Sequence, residues 1–111
     1  MAISEEEIGR ALDYLRDNAS KDAQARAERI YSESWAKVVL AQEQAKANAP
    51  SMAAAQMQAL ISAPYIAALE AHKAAVYEDE RRRFLRDAAE ARIEAWRTES
   101  ATRRAEGKAY S

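Results

Sequence analysis

The sequence predicts an all-α fold, and three observations carry the prediction. Twenty-eight of the 111 residues are alanine, the strongest helix former, while glycine and proline number only two each. Charged residues make up 32% of the chain, and apolar residues recur at steps of three and four over long stretches. Pro50 and Pro64 divide the chain into a small number of long helical segments. A length of 111 residues corresponds to one helical domain spanning 1–111. Apolar residues are 49% of the composition, but alanine accounts for about half of them. Burying a large apolar side chain yields about 1.5–3 kcal/mol and burying alanine far less, so the core is thin for its length.

A first helix is expected over about 5–17. Ser4 and Glu7 have capping-box spacing, and Glu5 and Glu6 lie where the helix dipole favours negative charge. Ile8, Ala11, Leu12 and Leu15 form its apolar stripe. Asn18-Ala19-Ser20 reads as an interruption, with Ser20 as the next N-cap; a continuous helix is the competing reading. A second helix over about 21–48 has a coiled-coil-like seam of Ala27, Ile30, Tyr31, Ser34, Val38, Ala41 and Ala45, widened by Trp35 and Val39. Ala49-Pro50-Ser51 ends it, and Ser51 caps a third, short helix over about 52–62. That helix bears no charge, which predicts burial on several sides; Met52 and Met57 read first as core packing at the hairpin turn, with an adaptable hydrophobic surface as the competing reading.

Pro64 suits the first turn of a fourth helix over about 65–106, which Gly107 should stop. Its proximal stripe is Ile66, Leu69, Lys73, Val76 and Tyr77; its distal stripe is Leu85, Ala89, Ile93 and Trp96, beside Phe84 and Ala88. The resulting architecture is an elongated helical hairpin or three-helix bundle. Two long antiparallel helices dominate it, with short helices at the N-terminus and the turn. At 1.5 Å per residue the long helices measure about 42 and 63 Å, leaving an overhang of roughly 20 Å that includes Trp96. Either the first helix covers this overhang, or a second copy or another protein does. Phe84, Leu85, Ile93 and Trp96 are therefore the candidate partner or oligomer interface.

Most catalytic chemistry lacks its residues. There is no cysteine and a single histidine, His72, which reads as a helix-boundary residue. Two glycines cannot build a phosphate loop, and no metal-ligand spacing occurs. The expectation is no enzyme, no cofactor, no metal and no small-molecule substrate. The uncharged run 47–69 contains polar residues and both prolines, so no membrane span is expected. The N-terminus has no secretory pattern, and a cytoplasmic location is expected.

Charge is uneven. Residues 1–80 carry 8 Lys+Arg against 13 Asp+Glu, whereas 81–108 carry 9 against 5. Arg83, Arg97 and Arg104 recur at heptad spacing with Arg86 one turn from Arg83. Such a line could track a phosphate backbone, and these four are the candidate nucleic-acid contacts. The competing reading pairs them within the helix, as in Glu78 with Arg82, Asp79 with Arg83 and Glu99 with Arg103.

The run APSMAAAQMQALISAPYIAALEAHKAAVYEDERRRFLRDAAEARIEAWRTESATRRA resembles a family of small helical proteins of tailed bacteriophages and prophages. The likeness is best over 64–104 and looser over 10–108. It implies a phage origin, a bacterial host cytoplasm, and an accessory role in DNA recombination or replication. It supplies no functional residues. The leading expectation is a non-enzymatic protein acting on a protein partner or homo-oligomer, and on DNA through its arginines. The alternatives are an inhibitor that meets a host machine through Glu5, Glu6, Glu7, Asp13 and Asp17, or a structural oligomerisation module.

Overall fold

The computed structural model describes residues 2–109. They form three helices and, among the described residues, no strand: α1 Glu5–Lys46, α2 Met52–Leu60 and α3 Ala63–Ala109. The all-α class and the presence of two long helices match the sequence reading.

The helix ends follow local chemistry. The Ser4 Oγ accepts from the Glu7 amide at 3.1 Å, and Glu5, Glu6 and Glu7 occupy the first turn of α1. Ser51 is extended (φ −150°, ψ 164°) and its Oγ accepts from the Ala54 amide at 3.1 Å, opening α2. Ser62 joins α2 to α3. Its hydroxyl donates to the Ala59 carbonyl at 2.7 Å and accepts from the Tyr65 amide at 3.4 Å, while its carbonyl accepts from the Ile66 amide. Pro64 therefore stands in the first turn of α3, where its missing N–H leaves no bond unmade.

Two expected boundaries are corrected. The interruption at Asn18-Ala19-Ser20 does not occur, and the predicted helices 5–17 and 21–48 are one helix, α1. The Asn18 side chain donates back to the Tyr14 carbonyl at 3.0 Å within the helix, and Ser20 caps no new helix because α1 runs through it. Gly107 does not stop the last helix, which runs on to Ala109. No glycine has positive φ, so the left-handed turn that makes glycine a helix stop is absent.

The chain divides into two compact units, residues Ala23–Glu80 and residues up to Asp22 together with those from Arg81 onward. In the first of these, partners on α3 fall in number as positions on α1 rise. Arg29 meets Asp79 and Glu80, Ser32 meets His72, and Ala36 and Val39 cluster with Ala68, against which Tyr65 packs. In the other unit Asp22 meets Arg82 and Arg86, and the Ile3 amide donates to Glu99 Oε2 at 3.1 Å. The start of α1 thus lies along the distal end of α3, and Ile3, Ser4 and Glu5 share a groove with Trp96. Of the segment expected to overhang, the part around Trp96 and Glu99 meets the start of α1, whereas residues 101–109 are exposed.

The predicted seam of the second helix is overturned. Ile30 is 58% and Tyr31 62% exposed, Trp35 and Val38 are exposed, and so are Ala27, Ser34, Ala41 and Ala45. The buried residues of α1 are instead Ile8, Ala11, Asp22, Ala25, Ser32, Ala36 and Val39, a different stripe that also steps by threes and fours. The proximal stripe of α3 is likewise turned out at Ile66, Leu69 and Tyr77, and α3 buries Ala68 and Ala89. The physical reason lies in the partners: the inward stripe holds small residues, which let backbones approach, and polar groups that find counterparts on α3. The burial expected for α2 fails too. Only Ala59 is buried, at 1%, while Met52 is 80% and Met57 66% exposed. A helix of about two and a half turns closes one side against the chain and shows the others.

No single helix among the described residues is long and apolar enough to cross a membrane; only α2 and α3 taken together, bent by 52°, reach that composition.

Helix continuity has a direct test. Lys21 is exposed in the interior of α1. Proline there removes an i→i−4 bond, and Lys21→Pro is expected to lower stability by about 3 kcal/mol in urea unfolding. An interrupted chain, with residue 21 as a first helical position, tolerates it nearly without cost.

Candidate interaction surfaces

The arginines of α3 separate into two groups by what they meet. Arg86 Nη1 lies 3.4 Å from Asp22 Oδ2, and Arg82 Nη1 lies 3.5 Å from Asp22 Oδ1. The Asp22 side chain is only 10% exposed and Arg82 18%. One carboxylate thus divides two oxygens between two guanidiniums four residues apart, which is one helical turn and therefore one face. Arg86 was expected on a phosphate-facing line; its guanidinium instead holds a carboxylate inside the fold. The sequence reading paired Arg82 with Glu78 and missed its contact with Asp22. The signal was present in the 82/86 spacing and in the placement of Asp22 three residues before Ala25.

The other three candidates are exposed on α3. The Arg83 guanidinium lies 5.7 Å from the Phe84 ring centroid, a cation–π distance. Arg97 Nη1 meets Glu94 Oε2 at 3.3 Å, with both side chains about two-thirds exposed, a pairing that costs little to break. Arg97, Arg103 and Arg104 line an open groove of about 660 Å³ with Trp96, Ser100 and the start of α1. Arg103 donates to Ser100 Oγ at 3.4 Å. The carboxylates at this end are partly committed: Glu99 accepts the Ile3 amide, and Glu5 stands in the first turn of α1. The four residues proposed as a partner surface also divide. Phe84 and Leu85 are exposed, whereas Ile93 and Trp96 are half-buried.

A second polar cluster lies in the Ala23–Glu80 unit. Arg29 Nη1 donates to Glu80 Oε1 at 2.9 Å and to Asp79 Oδ2 at 3.3 Å. The carboxylates of Glu80 first and Asp79 second accept from the Arg29 guanidinium and hold it above the usual arginine range. A folded-state value above the unfolded one stabilises the fold at all pH below that range and is lost only above it. The arginine side of this cluster therefore supplies no switch between roughly pH 5 and 9. Ser32 Oγ, 9% exposed as a residue, donates to the Arg29 carbonyl at 3.0 Å and lies 2.8 Å from His72 Nδ1. The Ser32 hydroxyl thus stands between the Arg29 carbonyl and the His72 ring, and the direction of the second bond follows the histidine tautomer. No group of three or more His, Asp or Glu among the described residues could hold a metal ion.

The acidic N-terminal residues are engaged locally. Glu5, Glu6 and Glu7 stand in the first turn of α1, and Asp13 and Asp17 lie 3.2 and 3.1 Å from Arg16. The larger apolar side chains are the remaining surface. Among the described residues the buried hydrophobics larger than alanine are Ile8 and Val39, while Tyr31, Trp35, Val38, Met52, Met57, Ile61 and others face outward. Comparison with protein-family models, curated proteins and solved structures gave no match to this chain.

Asp22→Ala leaves two guanidiniums facing each other without their shared carboxylate and is expected to cost about 2–3 kcal/mol in urea unfolding. Asp13→Ala, which removes an exposed partner of Arg16, should leave the unfolding midpoint unchanged.

Proposed function

We propose that this chain is a non-enzymatic binding protein that acts by protein–protein contact, its two long helices forming the arms of an antiparallel hairpin. One observation carries the reading: most large apolar side chains lie exposed, whereas the buried hydrophobic residues among those described are alanine apart from Ile8 and Val39. Exposed aromatic and aliphatic residues in contiguous helical stripes are what partner surfaces are made of. The phage resemblance supplies the setting, an accessory role in DNA recombination or replication inside a bacterial host.

A second reading keeps nucleic acid. Arg97, Arg103 and Arg104 border one groove beside Trp96, an indole placed where a base could stack. Arg86 leaves this reading because it serves Asp22.

Two measurements test these. The tagged chain should capture a protein at stoichiometric ratio, either itself or another, and Trp35→Glu should abolish capture while preserving the helical circular dichroism. A strictly monomeric chain that captures nothing overturns the contact reading. For nucleic acid, Arg97→Ala with Arg104→Ala should weaken single-stranded DNA binding and flatten its dependence on salt, because each lost phosphate contact removes about 0.7 from the log–log slope. Binding that ignores salt between 50 and 200 mM, on the order of the range where phosphate contacts are lost, overturns it.

A further inference from the structure

The outer face of α1 has an order that the inner face does not explain. Ala27, Tyr31, Ser34, Val38, Ala41 and Ala45 step alternately by four and three, so α1 carries a second heptad seam beside the one that meets α3. All six are exposed, none is charged, and Ile30 and Trp35 flank them. Tyr31 and Trp35 stack with ring centroids 6.3 Å apart and planes 7° from parallel, forming a flat aromatic ledge one turn long. A ledge fixed by intramolecular stacking loses little further freedom on binding.

The pattern is complementary to its own reverse. About a two-fold axis at the level of residue 36, antiparallel α1 helices set Tyr31 opposite Ala41 of the second copy. Val38 then falls opposite the second copy's Ser34, and Ala45 opposite its Ala27. Every pair matches a larger residue with a smaller one or two small ones, the alternation that interdigitating helices require. The two Trp35 rings meet near the axis. On the margin Lys37 of each copy comes within reach of the other's Glu33, so the rim adds opposite charges.

Area points the same way. The chain exposes 8355 Å², whereas a compact chain of 12.4 kDa exposes about 6,100 Å², an excess of about 2,200 Å². Removing even half of that from each of two copies gives a total of about 2,200 Å², within the range of permanent homodimer interfaces.

We propose that the outer face of α1 is the seat of a second copy of this chain, the two α1 helices pairing antiparallel about a two-fold axis with Tyr31, Trp35 and Val38 at its centre. The proposal rests on the protein-contact reading above and names its partner.

The test uses the full chain. Sedimentation equilibrium at micromolar concentration should give a dimer, and Trp35→Glu and Tyr31→Glu should each weaken self-association by about 100-fold, as a central aromatic contact does, with circular dichroism unchanged. The chain has no cysteine, so its orientation can be read by cross-linking. A mixture of Ser34→Cys and Val38→Cys chains should oxidise to the mixed dimer in preference to either like dimer. Preference for like dimers means parallel pairing and overturns the proposal. So does a dimer that survives Trp35→Glu but dissociates in Phe84→Glu. A strict monomer that captures a different protein through Trp35 overturns it as well, while leaving the contact reading standing; a monomer that captures nothing removes both.

Discussion

Asp22 is 9% exposed and faces Arg82 and Arg86, and its position constrains everything that α1 can do. A carboxylate withdrawn from water without a counter-ion costs several kcal/mol. Any rotation of α1 that buried its more apolar stripe against α3 would strand the three charges of this cluster on opposite sides of the helix. Arg29 imposes the same condition within its own unit through Asp79 and Glu80, as does Ser32 through His72. The ion pairs contribute little net stability, since desolvation offsets most of their attraction. They contribute register, because each alternative leaves a buried group without its partner.

An interior selected in this way has a thermodynamic consequence. Among the described residues, six of the eight buried hydrophobics are alanine, and no large side chain is fully buried. A buried CH₂ is worth about 0.8 kcal/mol, so a core of methyl groups falls well short of one built from leucine and aromatics. The free energy that the chain could draw from Tyr31, Trp35, Val38, Leu69 and Tyr77 stays unused until something covers them. A partner that bound these side chains only in the folded chain would add to its stability by mass action.

Much of this fold was legible in the residues. Ser4, Ser51, Pro50 and Pro64 place the helix ends close to where they occur, because capping and proline geometry are local. The facing of α1 was not legible. Its two stripes have the same spacing, and ranking them by apolarity selects Tyr31 and Val38 over Asp22 and Ser32. The correct choice depends on which polar groups stand opposite on α3, a long-range fact. A trace of it exists in the sequence: Asp22, Arg29 and Ser32 lie on one stripe of α1, and His72, Asp79, Arg82 and Arg86 on one stripe of α3. The break expected at Asn18 failed for a similar reason, since its side chain bonds back to Tyr14 and needs no helix end. At the candidate sites, heptad spacing placed four arginines on one line of α3 but could not tell that Arg86 is spent on Asp22.

The central claim, that large apolar side chains are held outward for a partner of the same kind, is tested most directly by the thermal midpoint as a function of protein concentration. Over a hundred-fold range the account predicts a midpoint that rises by several degrees with concentration, because association stabilises only the folded chain. A midpoint that stays fixed over that range, in a chain that unfolds reversibly, would contradict it.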